Sequence, residues 1–122
     1  MSNRIVHFEI PSDNPDKLME FYKNVFGWTF QQFGNEQYWT VITGDEKSPG
    51  INGGLLKKRE SNQPVVNSIE VGDLDEFVKK IEQAGGKIVV PKMPIPTVGW
   101  LCYFIDPDGN IHGIYQNDSS AR

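Results

Sequence analysis

Apolar residues recur on one side of the segment NPDKLMEFYKNVFGW, at Leu18, Met19, Phe21, Tyr22, Val25 and Phe26. This is the stripe of an amphipathic helix. Asn14 is placed to cap the free N–H groups, Pro15 stands where a missing N–H costs nothing, and Gly27 can take the left-handed conformation that closes the helix. The segment GDLDEFVKKIEQAGG follows the same grammar. Its stripe is Leu74, Phe77, Val78, Ile81 and Ala84, Asp73 and Glu76 make a capping-box pattern, and Gly85 ends it. Between these helices lie short runs rich in β-branched and aromatic residues, bounded by turn formers, which read as strands.

One helix lies over the other at an offset of 59 residues, so that Leu18 meets Phe77, Met19 meets Val78 and Tyr22 meets Ile81. A strand-like run precedes each helix (RIVHFEI or VVNSIEV). Three follow it: WTFQQF, QYWTVIT and INGGLLK in the first half, KIVV, WLCYFI and NIHGIYQ in the second. Both halves therefore read β-α-β-β-β, an internal repeat of the α+β class with mixed sheets. In the last strands Ile51-Asn52-Gly53 matches Ile111-His112-Gly113 at an offset of 60. The reading is one domain over residues 1–122, with module one at about 4–58 and module two at about 64–117. DPDG at Asp106 to Gly109 is a type I turn. GDEKSPG, KRESNQP and the proline-rich PKMPIPTVG are expected to be loops, the last placed to cover a site, and the polar tail NDSSAR is expected to fray.

Twelve Lys and Arg against 16 Asp and Glu give a net charge of -4, with no basic cluster beyond Lys57 to Arg59. A nucleic-acid partner is therefore not expected. No apolar run approaches membrane-spanning length and the start lacks a secretion signal, so the expected location is cytoplasmic, with no membrane partner. Cys102, the single cysteine, sits in the apolar run WLCYFI and reads as a small buried hydrophobe. There is no phosphate-cradling glycine loop and no nucleophile elbow, so nucleotide cofactors and serine hydrolysis have no motif here.

Paired β-α-β-β-β modules, with HFEI opening the first, FYKNVFGW ending its helix and YFIDPDGNIHGIYQ closing the second, resemble the vicinal oxygen chelate superfamily. That group includes glyoxalase I, bleomycin-resistance proteins, fosfomycin-resistance enzymes and extradiol dioxygenases. The resemblance runs from about Arg4 to Gln116 and implies sheets curled into a cup. In metal-dependent members a divalent ion is held by a histidine on the first strand of each module and a glutamate on the last. Carried over, these positions are His7, which stands 14 residues before Phe21 as in the family, Val66 (Asn67 if the register slides by one), Gly53 and Gly113. One strong ligand in four cannot hold nickel, zinc, manganese or iron, so no cofactor is expected; the alternative is a divalent metal ion bound at His7. His112, one residue from Gly113, should point to the opposite face.

By strand alternation, the side chains sharing a face with those positions are His7 and Glu9; Ile51 and Leu55 around Gly53; Val66, Ser68 and Glu70; Ile111 and Tyr115 around Gly113. Apolar walls with a few polar groups suit a small-molecule pocket. The expected ligand-binding residues are His7, Glu9, Trp39, Gly53, Ser68, Glu70, Trp100, Gly113 and Tyr115, the tryptophans as stacking platforms. His7 with Glu9 is the candidate acid–base pair. The expected function is binding of a small organic molecule without a full metal site, by sequestration as in bleomycin-resistance proteins. The alternative is an enzyme, a lyase, isomerase or dioxygenase-like member acting on a small oxygenated substrate with or without a metal; glyoxalase I activity itself is not expected. The resemblance also implies a homodimer.

Overall fold

The computed structural model describes residues 3–122. The elements run β1 (Ile5–Ser12), α1 (Pro15–Phe26), β2 (Thr29–Gln32), β3 (Tyr38–Ile42), β4 (Gly53–Lys57), β5 (Val66–Glu70), α2 (Leu74–Gln83), β6 (Lys87–Ile95), β7 (Gly99–Ile105) and β8 (Ile111–Asn117). This is the expected α+β order of β-α-β-β-β read twice. The described residues divide into two compact units, His7–Val66 and Asn67–Arg122 with residues 3–6.

In the first unit the strand order is β2-β3-β4-β1, with β1 parallel to β4 and the other neighbours antiparallel. The ends of α1 form as their residues require. The Asn14 side chain accepts the Lys17 N–H at 3.3 Å, Pro15 opens the helix, and Gly27 closes it at φ 74° by donating its N–H to the Lys23 carbonyl. Rings of Phe8, Tyr22 and Trp28 meet where β1, α1 and the start of β2 converge, Tyr22 stacking on Trp28 with centroids 4.8 Å apart. Phe8 thus marks the face of the sheet that α1 covers. Val41 and Leu55 are fully buried on that face.

In the second unit the order is β5-β8-β7-β6. Asp73 caps α2 by accepting the Glu76 N–H, and Gln116 reaches from β8 to accept the Leu74 N–H at 2.8 Å. The core is Val71, Leu74, Cys102 and Ile114, with Phe77, Val78 and Ile81 of the predicted stripe packed against it. Burying a side chain such as Leu74 stabilises by about 1.5–3 kcal/mol, so this stripe anchors α2 on the sheet. Burial pushes the Cys102 thiol up to about 11, which agrees with its reading as an inert hydrophobe. No helix among the described residues is long and apolar enough to cross a membrane.

Two expectations are corrected here. The proline-rich stretch is largely strand: β6 runs on through Pro91 and Pro94 to Ile95, because it is the last strand in the order and its register shifts between Ile88 and Met93 absorb residues that cannot donate. Only its tip turns, with Thr97 at φ 66°. The tail is also tied down. Ala121 is 1% exposed and accepts the Thr97 N–H at 3.0 Å, while Asp118 accepts the Trp100 indole N–H at 3.0 Å.

Candidate functional site

Strand register decides which side chains share a face. Gly54 stands between Glu9 of β1 and Thr40 of β3, so Glu9, Gly54 and Thr40 form one row. Alternation adds His7, Tyr38 and Leu56 to the same face, opposite the one that α1 covers. There His7 Nε2 lies 2.8 Å from the Tyr38 hydroxyl oxygen. The phenol sits over Gly54: a Cβ on that residue would lie 1.9 Å from the Tyr38 oxygen. Burial holds the His7 imidazole below its ordinary value, and the nearby Glu9 carboxylate pulls the other way without reversing it. Burial thus favours the neutral form of His7.

The predicted Gly53 belongs to the other face, with Phe8, Trp39, Val41 and Leu55. Its Cβ would lie 2.5 Å from the Phe8 carbonyl and 2.6 Å from the Phe8 ring, so Gly53 admits Phe8 and does not open space beside His7. The 60-residue offset is the origin of the slip. The parallel pairs Glu9–Gly54 and Ser68–Gly113 are related by 59 in both strands, so Gly54 is the residue that answers to Gly113. Trp39 shares Leu55's row and is likewise removed from the face of His7.

In the second unit Ser68 and Tyr103 flank Gly113, and Glu70 and Leu101 flank Tyr115. These residues share the face turned away from α2. Ser68 is buried, and its Oγ would lie 3.1 Å from a Cβ on Gly113. Glu70 accepts a hydrogen bond from the Asn117 amide at 2.8 Å. The Tyr115 hydroxyl donates to Asn117 Oδ1 at 2.5 Å and reaches the Val98 carbonyl at 3.1 Å. Burial, then the charge of Glu70, raises the Tyr115 phenol above its ordinary value. Trp100 departs from expectation: it packs with the α2 core, donates to Asp118 and carries the Lys92 ammonium 4.6 Å from its ring centre. His112 lies on the α2 side against Phe104, with centroids 6.0 Å apart, which is the expected direction; its Nδ1 is buried without a hydrogen-bond partner among the described residues.

The side chains do not suit a divalent metal ion. The ligand positions implied by resemblance are His7, Val66, Gly113 and, by the corrected register, Gly54, and the last is overlaid by a phenol. Among the described residues no three or more His, Cys, Asp or Glu side chains gather closely enough to hold a metal. Sequence reasoning missed Tyr38, Thr40, Tyr103 and Asn117. Period-two alternation along QYWTVIT could have found the first two, had Trp39 not been assigned to the site.

A family model described as Glyoxalase/Bleomycin resistance protein/Dioxygenase superfamily matches residues 4–112. The chain is 30% identical over 125 residues to "Metallothiol transferase FosB" of Shouchella clausii, covering 100% of this chain and 86% of that protein. It is 28% identical over 113 residues to CFP32 of Mycobacterium tuberculosis, provisionally named a glyoxylase, covering 88% of this chain but only 43% of that longer protein. Among solved structures, a glyoxalase/bleomycin resistance protein/dioxygenase superfamily member from Vibrio splendidus 12B01 superposes with a TM-score of 0.67 at 16% identity, over 93% of this chain and 98% of that one.

Proposed function

This chain belongs to the Glyoxalase/Bleomycin resistance protein/Dioxygenase superfamily, and we propose that it binds a small oxygen-bearing organic molecule on the face of β1, β3 and β4 through hydrogen bonds rather than through a resident metal. The observation that carries this reading is the 2.8 Å contact between His7 and Tyr38 above Gly54. A neutral imidazole, a phenol, the Glu9 carboxylate and the Thr40 hydroxyl supply donors and acceptors of several strengths on one small surface. Ser68, Glu70, Gly113 and Tyr115 remain candidates for ligand contact on the second unit, where the Glu70–Asn117–Tyr115 network supports a polar face of the same kind.

The name of the FosB relative joins a metal to a thiol transfer, and that chemistry belongs to that protein. Here the donor set argues for sequestration or for metal-free proton transfer. One observation favours the second reading, a lyase or isomerase: an imidazole whose neutral form is favoured by burial, beside a carboxylate, can accept a proton from an oxygenated substrate. The proposal extends to a single domain, a homodimer and a cytoplasmic location, each drawn from the sequence pattern and the family.

A thermal-shift screen of oxygenated natural products and antibiotics, run with and without chelator, tests the reading. Binding should survive chelation and be lost in His7→Ala. Recovery of the ligand unchanged identifies a binder, and its consumption identifies an enzyme. Binding that needs added metal overturns the proposal.

A further inference from the structure

Tyr38 reaches His7 because residue 54 has no side chain. In the register of β3 and β4, Tyr38 stands opposite Leu56 and not opposite Gly54, so its ring leans along the sheet by two residues to bring the hydroxyl over the glycine. A Cβ at residue 54 would lie 1.9 Å from the hydroxyl oxygen, 2.2 Å from Cζ and 2.7 Å from Cε1. Real Cβ atoms do not approach a neighbour so closely, so an alanine at this position must push the half-buried phenol aside. Residues 38 and 54 are therefore a matched pair: the ring position exists only with glycine beneath it.

A glycine within a strand forfeits packing and costs conformational entropy, so its presence at the second residue of β4 asks for a return. The return visible here is the contact with His7. We propose that Tyr38 is the positioning residue of the His7 site, seated by Gly54 and holding the imidazole by Nε2 so that Nδ1 is the ring atom addressed to a ligand. A phenol both donates and accepts, so it can keep Nε2 engaged in either neutral tautomer. With the phenol donating, Nδ1–H faces outward and addresses a carbonyl or other oxygen acceptor. With the phenol accepting, the Nδ1 lone pair faces outward and addresses a hydroxyl or a weakly acidic proton. Either way the ligand class is a neutral oxygenated group, and a metal approaching Nε2 must first displace the phenol. This deepens the proposed function and rests on it for the ligand, but not for the arrangement of the three residues.

Long-range ¹H–¹⁵N correlation spectra of the full, unliganded chain test the arrangement. Only two imidazoles contribute, and His112→Gln assigns them. At pH 7.5 the His7 Nε2 shift should carry the mark of its hydrogen bond to the phenol in the wild type and move in Tyr38→Phe, whose fold is checked by circular dichroism. Stability supplies a second readout that does not involve His7. Gly54→Ala should be destabilising in the wild type and neutral or stabilising in a Tyr38→Ala background, because the alanine then finds open space. Unchanged His7 nitrogens in Tyr38→Phe, or an equal effect of Gly54→Ala in both backgrounds, would overturn the proposal. Since no ligand is present, a failed ligand screen and a failed spectrum are separate outcomes.

Discussion

The His7 imidazole and the Tyr38 phenol meet at 2.8 Å on the sheet face opposite α1, joined across Gly54 and three strands. The contact links a β1 residue to one 31 positions later, so it ties the placement of β3 to the chemistry of β1. The consequences reach stability, titration and ligand choice.

Glycine substitutions should separate by the face they occupy. Gly54→Ala, with its Cβ 1.9 Å from the Tyr38 oxygen, and Gly53→Ala, 2.5 Å from the Phe8 carbonyl, should each cost about 1–3 kcal/mol as overpacking. Gly113→Ala meets its nearest atom, Ser68 Oγ, at 3.1 Å and needs only a small side-chain adjustment, so a change below about 1 kcal/mol is expected. Urea denaturation of the three variants measures the order directly.

Burial lowers the folded-state value of His7 below its ordinary 6.5, so the unfolded chain takes up a proton at this residue before the folded chain does. Its contribution to stability is constant above about pH 6.5, falls as the pH drops through the folded value, and levels off below it. The melting temperature of the wild type should therefore decline more steeply between pH 7.5 and 5 than that of His7→Gln. Parallel declines in the two proteins would contradict the assignment.

Cys102 should be silent in the native protein. A thiol buried in the core and raised to about 11 offers almost no thiolate at pH 8, so reaction with a disulfide reagent should wait for unfolding. Rapid labelling of the folded chain would show that the α2 core opens on the timescale of the assay.

The carboxy-terminal segment should carry stability. Asp118→Ala removes the acceptor of the Trp100 indole and the side-chain partner of Ser120, and should lower the unfolding midpoint. Equilibrium unfolding checks this; an unchanged midpoint would return the tail to its expected frayed state.

How far the sequence revealed this molecule depends on the range of the interactions concerned. The helices, their caps at Asn14 and Asp73, and the turn built on Asp106 follow from neighbours within four residues, and they are legible. The strands were found, but the face of β4 was not. Choosing Gly53 over Gly54 is a slip of one residue, and one residue reverses every side chain of a strand. Tyr38 escaped notice for the same reason: with Trp39 assigned to the site, alternation along QYWTVIT sent Tyr38 to the other face, although its partner His7 lies across the sheet from it. Trp39 and Trp100 look alike as candidate platforms in sequence, yet only register reveals that they face the helices. The tail misled through its polarity, since the burial of Ala121 rests on Thr97, more than 20 residues earlier.

The most direct measurement is the metal content of protein purified without chelator, followed by titration of the stripped chain with zinc, nickel, manganese and iron(II) while the His7 ring resonances are observed. Expected is no stoichiometric metal, with His7 resonances unmoved at one equivalent, because Nε2 is held by Tyr38 and no cluster of carboxylates or imidazoles surrounds it among the described residues. One tightly bound ion per chain that shifts His7 and disappears in His7→Ala would contradict it and return His7 to a metal site.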